Sequence, residues 1–326
     1  MSVRRASAAA ALAILAAPAA AAPPATLTPL AHDDRRDLVI EGVAGHQGRW
    51  FVSAVAARTI FRAEGGKLVP FLAPSPETGA IFGLAVDAPR GVLWAAEAWG
   101  EGLPGGSGPR RTGLLKVSLK DGRVLGRYPA PAPAAVMFGD VVVDPAGAVY
   151  VSDGGTGAVW VLAPGATAPR LIGKPAGATS AQGMVLCPLD VMVVSDYATG
   201  LHRLDLGDGT SRPLRVAPGV LKVAGIDGMV LLGGRTALDV AATYNGAQPY
   251  RLMRLKISAD CERLEAANTL IKGDQVRDIA LATPAPGGLA VVTVSQWAGW
   301  GEDGRRNTTD PGAATVALVK LAPIYP

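Results

Sequence analysis

The chain is poor in the residues on which most side-chain chemistry depends. In 326 residues it has three histidines, His32, His46 and His202, and two cysteines, Cys187 and Cys261. It contains no G-x-S-x-G elbow, no H-E-x-x-H, no C-x-x-C and no glycine-rich phosphate loop. The common serine-hydrolase, zinc-protease, dithiol and nucleotide chemistries therefore lack their residues. Charged residues make up only 18% of the chain, and the basic ones are scattered apart from Arg110-Arg111 and Arg305-Arg306. A nucleic-acid binder shows a basic stripe with interleaved aromatics, so no nucleic-acid partner is expected. Long apolar runs are missing beyond the N-terminus. There, Arg4 and Arg5 precede the apolar stretch Ala8 to Ala17, and the small residues Ala19 to Ala22 lead into Pro23-Pro24. That pattern reads as a cleaved export leader over residues 1–22, too short to stay in a bilayer. No cysteine follows it to carry a lipid. The expectation is a periplasmic or secreted protein with no membrane partner, made of one domain over residues 23–326. Losing Arg4 and Arg5 takes the formal net charge from +4 to +2, which selects no partner.

What the chain has in quantity is turn chemistry between short apolar runs. Gly 41 and Pro 26 together make about a fifth of it. FGDVVVDPAGAVYVSDGGTGAVWVL, Phe138 to Leu162, shows the pattern. VVV, VYV and VWVL are each too short for a helix. DPAG and DGGTG supply a fixed φ at Pro145 and tolerance of φ > 0 at the glycines, so the segment reads as three antiparallel strands.

The same strand-turn-strand pattern recurs. DVVVDPAGAVYVSD from Asp140 is echoed by GMVLCPLDVMVVSD from Gly183, and related units begin at Gly42, Gly83, Gly228 and Asp278. A third apolar strand follows most of them, and the spacing is about 40–60 residues. Six such units with no helical period predict an all-β, six-bladed β-propeller. A long β-sandwich would explain strands and turns but not six copies of one pattern. The WD and kelch signatures are absent, because the six Trp do not recur in register.

In a propeller the first strand of each unit lines the central channel. Aligning the unit starts places Glu41, Phe82, Gly139, Gln182, Asp227 and Arg277 in one ring and Gly42, Gly83, Asp140, Gly183, Gly228 and Asp278 in the next. Carboxylates converging on one axis repel each other unless a cation or proton pairs with them. Hard oxygens from several units suit Ca²⁺ or another divalent cation. The alternative for Asp140 and Asp278 is to cap backbone amides or pair with Arg277. The loops on the same face carry Trp99, Asn245, Trp297 and Trp300, which with Asp278 are expected to rim a small-molecule pocket. Trp94 and Trp160, inside strands, read as core. Glu97, Asp153 and Asp196 end second strands on the same face; Asp153 and Asp196 read as turn-forming carboxylates, and one could act as base.

At these blade starts the chain resembles the senescence-marker-protein/gluconolactonase (regucalcin-like) family of six-bladed propellers. The resemblance runs along the whole mature chain and rests on Glu41-Gly42, Gly139-Asp140 with Asp144-Pro145-Ala146-Gly147, Gln182-Gly183 and Asp227-Gly228. It implies one divalent cation held by Glu41, Gln182 and Asp227, with Asp140 substituting beside Gly139, and metal-assisted lactone hydrolysis. The family carries Asn at the positions of Gly139 and Gln182. The catalytic carboxylates would be Asp227 and Asp140. Two functions stay open: a metal-dependent lactonase or esterase, and a non-catalytic propeller that binds a small molecule or a protein on its loop face. A monomer is the expected state.

Cys187 and Cys261 fall in turns of neighbouring units on the face opposite Glu41. Two separate thiols and a bond between the turns are both open readings, the first taken ahead of the second.

Overall fold

A computed structural model describes residues 25–131, 135–188, 190–234 and 236–321. The proposed leader lies outside them. The described chain is all-β, with three short 3₁₀ turns among its strands.

Alternation drives the architecture. In Arg49–Ala54, Phe51 packs into one apolar cluster with Ile81, Leu84 and Leu93. Trp50 and Val52, facing the other way, join a second cluster with Ala290, Val292 and Val316. In Val191–Asp196, Val191 and Val193 pack with Ile226 and Val240, whereas Met192 and Val194 pack with Val159. Strands apolar on both faces need a neighbour on each side, and a ring of sheets supplies one.

The strands form six four-strand antiparallel runs, numbered here in chain order. Run one is Ile40–His46, Arg49–Ala54, Thr59–Glu64 and Lys67–Pro70; run two is Ala80–Asp87, Val92–Trp99, Arg111–Ser118 and Val124–Pro129. Run three is Phe138–Val143, Val149–Asp153, Val159–Leu162 and Arg170–Gly173; run four is Ala181–Cys187, Val191–Asp196, Gly200–Asp205 and Ser211–Pro213. Run five is Ile226–Gly233, Ala237–Tyr244, Arg251–Ser258 and Arg263–Lys272, with the short Arg215–Val216 on its edge. Run six is Ala282–Ala285, Gly288–Val294 and Ala314–Lys320, completed by Thr26–Asp33 from the other end of the chain. A parallel pair, His32 with Lys67, joins runs six and one into an eight-stranded sheet, so the hydrogen-bonded sheets among the described residues number five.

The first strands meet in sequence around an axis. A Cβ on Gly42 would lie 2.6 Å from Phe82 O, one on Gly83 2.5 Å from Gly139 O, and one on Gly183 2.4 Å from Met229 N. Only glycine permits that approach. The circuit closes where Leu281 N donates to Glu41 O at 3.2 Å.

Run six corrects the sequence alignment. The residue that packs on Gly228 and bonds Glu41 is Leu281, three residues beyond Asp278. A 3₁₀ turn over Gly273–Val276 delays the strand. Asp278 instead accepts the Gln296 N–H at 2.6 Å and caps the turn after Val294. The Arg277 guanidinium lies against the Pro311-Gly312 backbone, outside the ring.

The cysteines are also settled. Cys187, ending the first strand of run four, is disulfide-bonded to Cys261 in the turn between the third and fourth strands of run five, with Cα atoms 6.6 Å apart. Two separate thiols is therefore the wrong reading.

Candidate functional site

Each of the first five runs carries the same irregularity. The pairing of first and second strands slips between Ile40 and Val43, Ile81 and Leu84, Phe138 and Val141, Ala181 and Met184, and Ile226 and Met229. These bulges hold the residues read as channel-lining: Glu41-Gly42, Phe82-Gly83, Gly139-Asp140, Gln182-Gly183 and Asp227-Gly228. A bulge frees backbone groups from the ladder and re-aims side chains. The freed groups are met by hydroxyls from the second strands. Ser53 Oγ accepts Gly42 N at 2.7 Å, Ser152 Oγ accepts Asp140 N at 2.9 Å and Thr243 Oγ1 accepts Gly228 N at 2.8 Å, while Ser195 Oγ donates to Gly183 O at 3.1 Å. Ser53 also donates to Phe82 O at 2.5 Å, tying run one to run two. Ser53→Ala leaves a buried N–H and a carbonyl unpaired, so a loss of about 1–3 kcal/mol is expected. Equilibrium urea unfolding with an unchanged m-value checks it; an unaltered midpoint would mean the bulge needs no hydroxyl.

The bulges open on a cavity of about 290 Å³ whose lining includes Glu41, Phe82, Arg110, Asp140, Gln182 and Asp227. Glu41 accepts the Trp297 indole N–H on Oε2. Asp227 Oδ2 accepts Asn245 Nδ2–H at 2.8 Å, and the same Asn245 takes the Tyr197 hydroxyl on its Oδ1. Asp140 Oδ1 accepts the Val141 N–H at 2.8 Å. Gln182 Nε2 donates to Ser180 Oγ at 2.8 Å, leaving its carbonyl oxygen without that bond.

Burial makes these carboxyls hard to ionise. Asp140 is pushed up to about 7, first by desolvation and then by the Asp227 charge, against the opposing Val141 N–H. Asp227 is pushed up to about 6 by desolvation, with the Asn245 N–H pulling the other way. Glu41 lies well above the usual carboxylate range, through desolvation first and the Asp227 charge second. Burial, then Asp227, also raise the Tyr197 phenol. Such a cluster releases its protons in coupled steps.

No protein-family model matches the sequence, and no curated protein is significantly similar to it. Solved structures do match. The PQQ-bound aldose sugar dehydrogenase from Streptomyces coelicolor superposes with a TM-score of 0.59 at 14% identity, covering 93% of this chain and 100% of that one. A gluconolactonase from Xanthomonas campestris gives 0.57 at 16% identity over 94% and 99% of the two chains. A glucose dehydrogenase-type oxidoreductase from Thermus thermophilus gives 0.60 at 14% over 90% and 99%. The fold is a β-propeller. At these identities the likeness is one of fold alone, and the chemistry must be argued from the residues.

Within the propeller, Glu41, Asp140, Gln182 and Asp227 line one cavity, and Asn245 touches it through Asp227. The expected rim is distributed differently. Trp297 bonds Glu41 and stacks on Phe82 with ring centroids 6.5 Å apart. Together with Trp300 it packs against Val39, Val55, Ala98 and Leu103, so both rings contribute apolar contact beneath the loops. Asp278 is a turn cap, as above, although its charge adds to the rise at Glu41. Trp99 lines a different cavity. Asp153 and Asp196 accept backbone N–H groups of the turns around them and are structural.

Two site residues escaped the sequence reading. Tyr197 directly follows the V-S-D that ends the second strand of run four, where its role depends on a partner in run five. Arg110, noted in the sequence only as one of a basic pair, lines the same cavity as the carboxyls. The aligned hydroxyls of Ser53, Ser152, Ser195 and Thr243 were the available signal for the bulges.

Proposed function

We propose that the chain is an exported six-bladed propeller, each four-strand run being one blade, that hydrolyses a small lactone or ester in its central cavity with the help of a divalent cation, Ca²⁺ first. The observation that carries this reading is the convergence of Glu41, Asp140 and Asp227, from runs one, three and five, on one cavity of about 290 Å³. The shared fold of the Xanthomonas gluconolactonase supports it.

The donor chemistry fits a hard cation: three carboxyls and the Gln182 amide oxygen, with ionisation opposed by burial and mutual charge. When bound there, the cation supplies Lewis-acid polarisation of an ester carbonyl. Asp227 is the base. Its Oδ2 is fixed by Asn245, which Tyr197 orients in turn, so Oδ1 is left to take a proton from water. Asp140 rises to about 7 without the cation and would ionise on holding it. The proton that Asp227 takes from water is then the one returned to the leaving alkoxide. Arg110 at the lining favours substrates with electron-rich oxygens.

A second reading has two observations in its favour. Among the described residues, no three acidic, His or Cys side chains stand together as a ready metal site, and each carboxyl already has a partner of its own. That suits a monomeric, non-catalytic propeller binding a small molecule.

The pH dependence of calcium binding separates the readings. Glu41, Asp140 and Asp227 hold protons in the folded chain that the unfolded chain releases. Stability without cation is therefore expected to fall as pH rises from about 4, the unfolded carboxylate range, through about 7. A cation offsets that loss. Ca²⁺ at a fixed concentration a hundredfold over its pH 8 dissociation constant should add about 2.7 kcal/mol at pH 8 and far less at pH 5. Glu41→Gln with Asp227→Asn should abolish the gain. A melting temperature indifferent to calcium and chelator at pH 8, with no turnover on a lactone and aryl-ester panel, leaves only the binding reading.

A further inference from the structure

A second cavity, of about 530 Å³, lies in the flank of run two and shares no lining residue with the central one. Its floor is ordered by Glu97, which is 1% exposed. Glu97 Oε1 accepts the Gly79 N–H at 2.9 Å, and Oε2 accepts Arg127 Nε–H at 3.2 Å. Arg127 donates further to Thr78 Oγ1 at 3.4 Å. Glu97 is thus paired with a half-buried Arg127, and desolvation, the first cause of its raised ionisation, is opposed by the Gly79 N–H, by Arg127 and more weakly by the Arg111 charge.

Arg111 is placed otherwise. Its guanidinium lies 4.6 Å from the Trp99 ring centroid, and among the described residues it forms no ion pair with a carboxylate. A cation held against an indole face keeps its N–H groups available, and a guanidinium can take a carboxylate in two parallel bonds. The indole is itself held in place. A Cβ on residue 79 would lie 2.7 Å from Trp99 Cε2, so the ring rests on a backbone that only glycine leaves bare. Tyr128, Pro129, Ala130 and Val136 supply apolar wall, and the one remaining acid, Glu77, is exposed at the edge. A prearranged plate, a cation with unused donors and apolar sides describe a ligand site.

We propose that this flank cavity binds a small organic carboxylate with a flat apolar body, its carboxylate on Arg111 and its body against Trp99 and Tyr128. The proposal does not rest on lactone hydrolysis, because the two cavities are separate. The adjacent arginines divide between them, Arg110 to the centre and Arg111 to the flank.

The probe is 2-naphthoate, titrated into the full chain by calorimetry at pH 7.5 beside the neutral 2-naphthamide. The carboxylate should bind at least tenfold more tightly than the amide. Arg111→Gln, at an exposed side chain, should erase that preference while unfolding as cooperatively as the wild type. Asp227→Asn should leave both affinities unchanged. In the wild type, naphthoate should show intermolecular NOEs to the Trp99 indole, a readout that needs no variant. Equal affinity for acid and amide, a preference that survives Arg111→Gln, absence of the NOEs, or loss of binding in Asp227→Asn would each overturn the site.

Discussion

Asp227→Asn is expected to lower lactone or ester turnover by about 10²–10⁴-fold, the range for removing a positioned general base, without loosening the fold. The replacement is nearly isosteric, and its amide oxygen still accepts the Asn245 N–H that now meets Asp227 Oδ2 at 2.8 Å. It also removes a charge that burial disfavours, so the melting temperature should hold or rise. Loss of kcat with retained or increased stability is the signature of a base kept ionised at the expense of the fold. Equal turnover in wild type and variant would remove Asp227 from the chemistry. Asn245→Ala, which frees the carboxylate from its guide, should lower kcat less and shift the acid limb of the rate profile upward, because a hydrogen bond that favours the charged form is gone.

The second large effect concerns the disulfide. Replacing Cys187 and Cys261 together by Ser, or reducing the bond, should cost about 2–4 kcal/mol, since a 74-residue separation is no longer constrained in the unfolded chain. Cys261 is fully buried against Val185, Leu255 and Leu264, so the lost packing adds to the loss of the cross-link. Intact mass after alkylation of the unreduced, unfolded protein should show no modified thiol. A double variant as stable as wild type would mean that the packing of runs four and five suffices alone.

Much of the architecture could be read from alternation. Val191 to Asp196 betrays a buried strand by valines on both faces, and DPAG betrays the turn between Phe138–Val143 and Val149–Asp153. Gly147, at φ 92°, and the Asp144 Oδ1 bond to Ala148 N confirm that turn in detail. The convergence of Glu41, Asp140, Gln182 and Asp227 followed from aligning those units. Run six failed because D-I-A-L-A imitates the start of the others, and nothing local shows that a 3₁₀ turn displaces it by three residues. The tryptophans failed for a related reason. A strand's period says which face a residue takes, but Trp99, Trp297 and Trp300 stand at strand ends or in loops, where no period applies. Tyr197 and Asn245 meet across two runs, a pairing that no single unit encodes.

The strand Thr26–Asp33 pairs antiparallel with Ala314–Lys320, Thr26 opposite Lys320 and Asp33 opposite Ala314. Among the described residues, the first strand thus waits for the last. Until both are present, the Ala314–Lys320 position is vacant, and Thr26–Asp33 has only its single parallel bridge to Lys67–Pro70 to hold it. Non-local closure of this kind is slow, and an unpaired strand invites association with another chain. Pro29, which has no N–H to offer, sits beside the slip in register between Pro29 and Ala31 and interrupts the donor row of that strand. The arrangement also makes the order of synthesis separable from the finished ring. Moving residues 25–36 to follow residue 321 through a short linker would let run six form from consecutive strands, so this permutant should refold faster than the natural chain while reaching the same closed circuit.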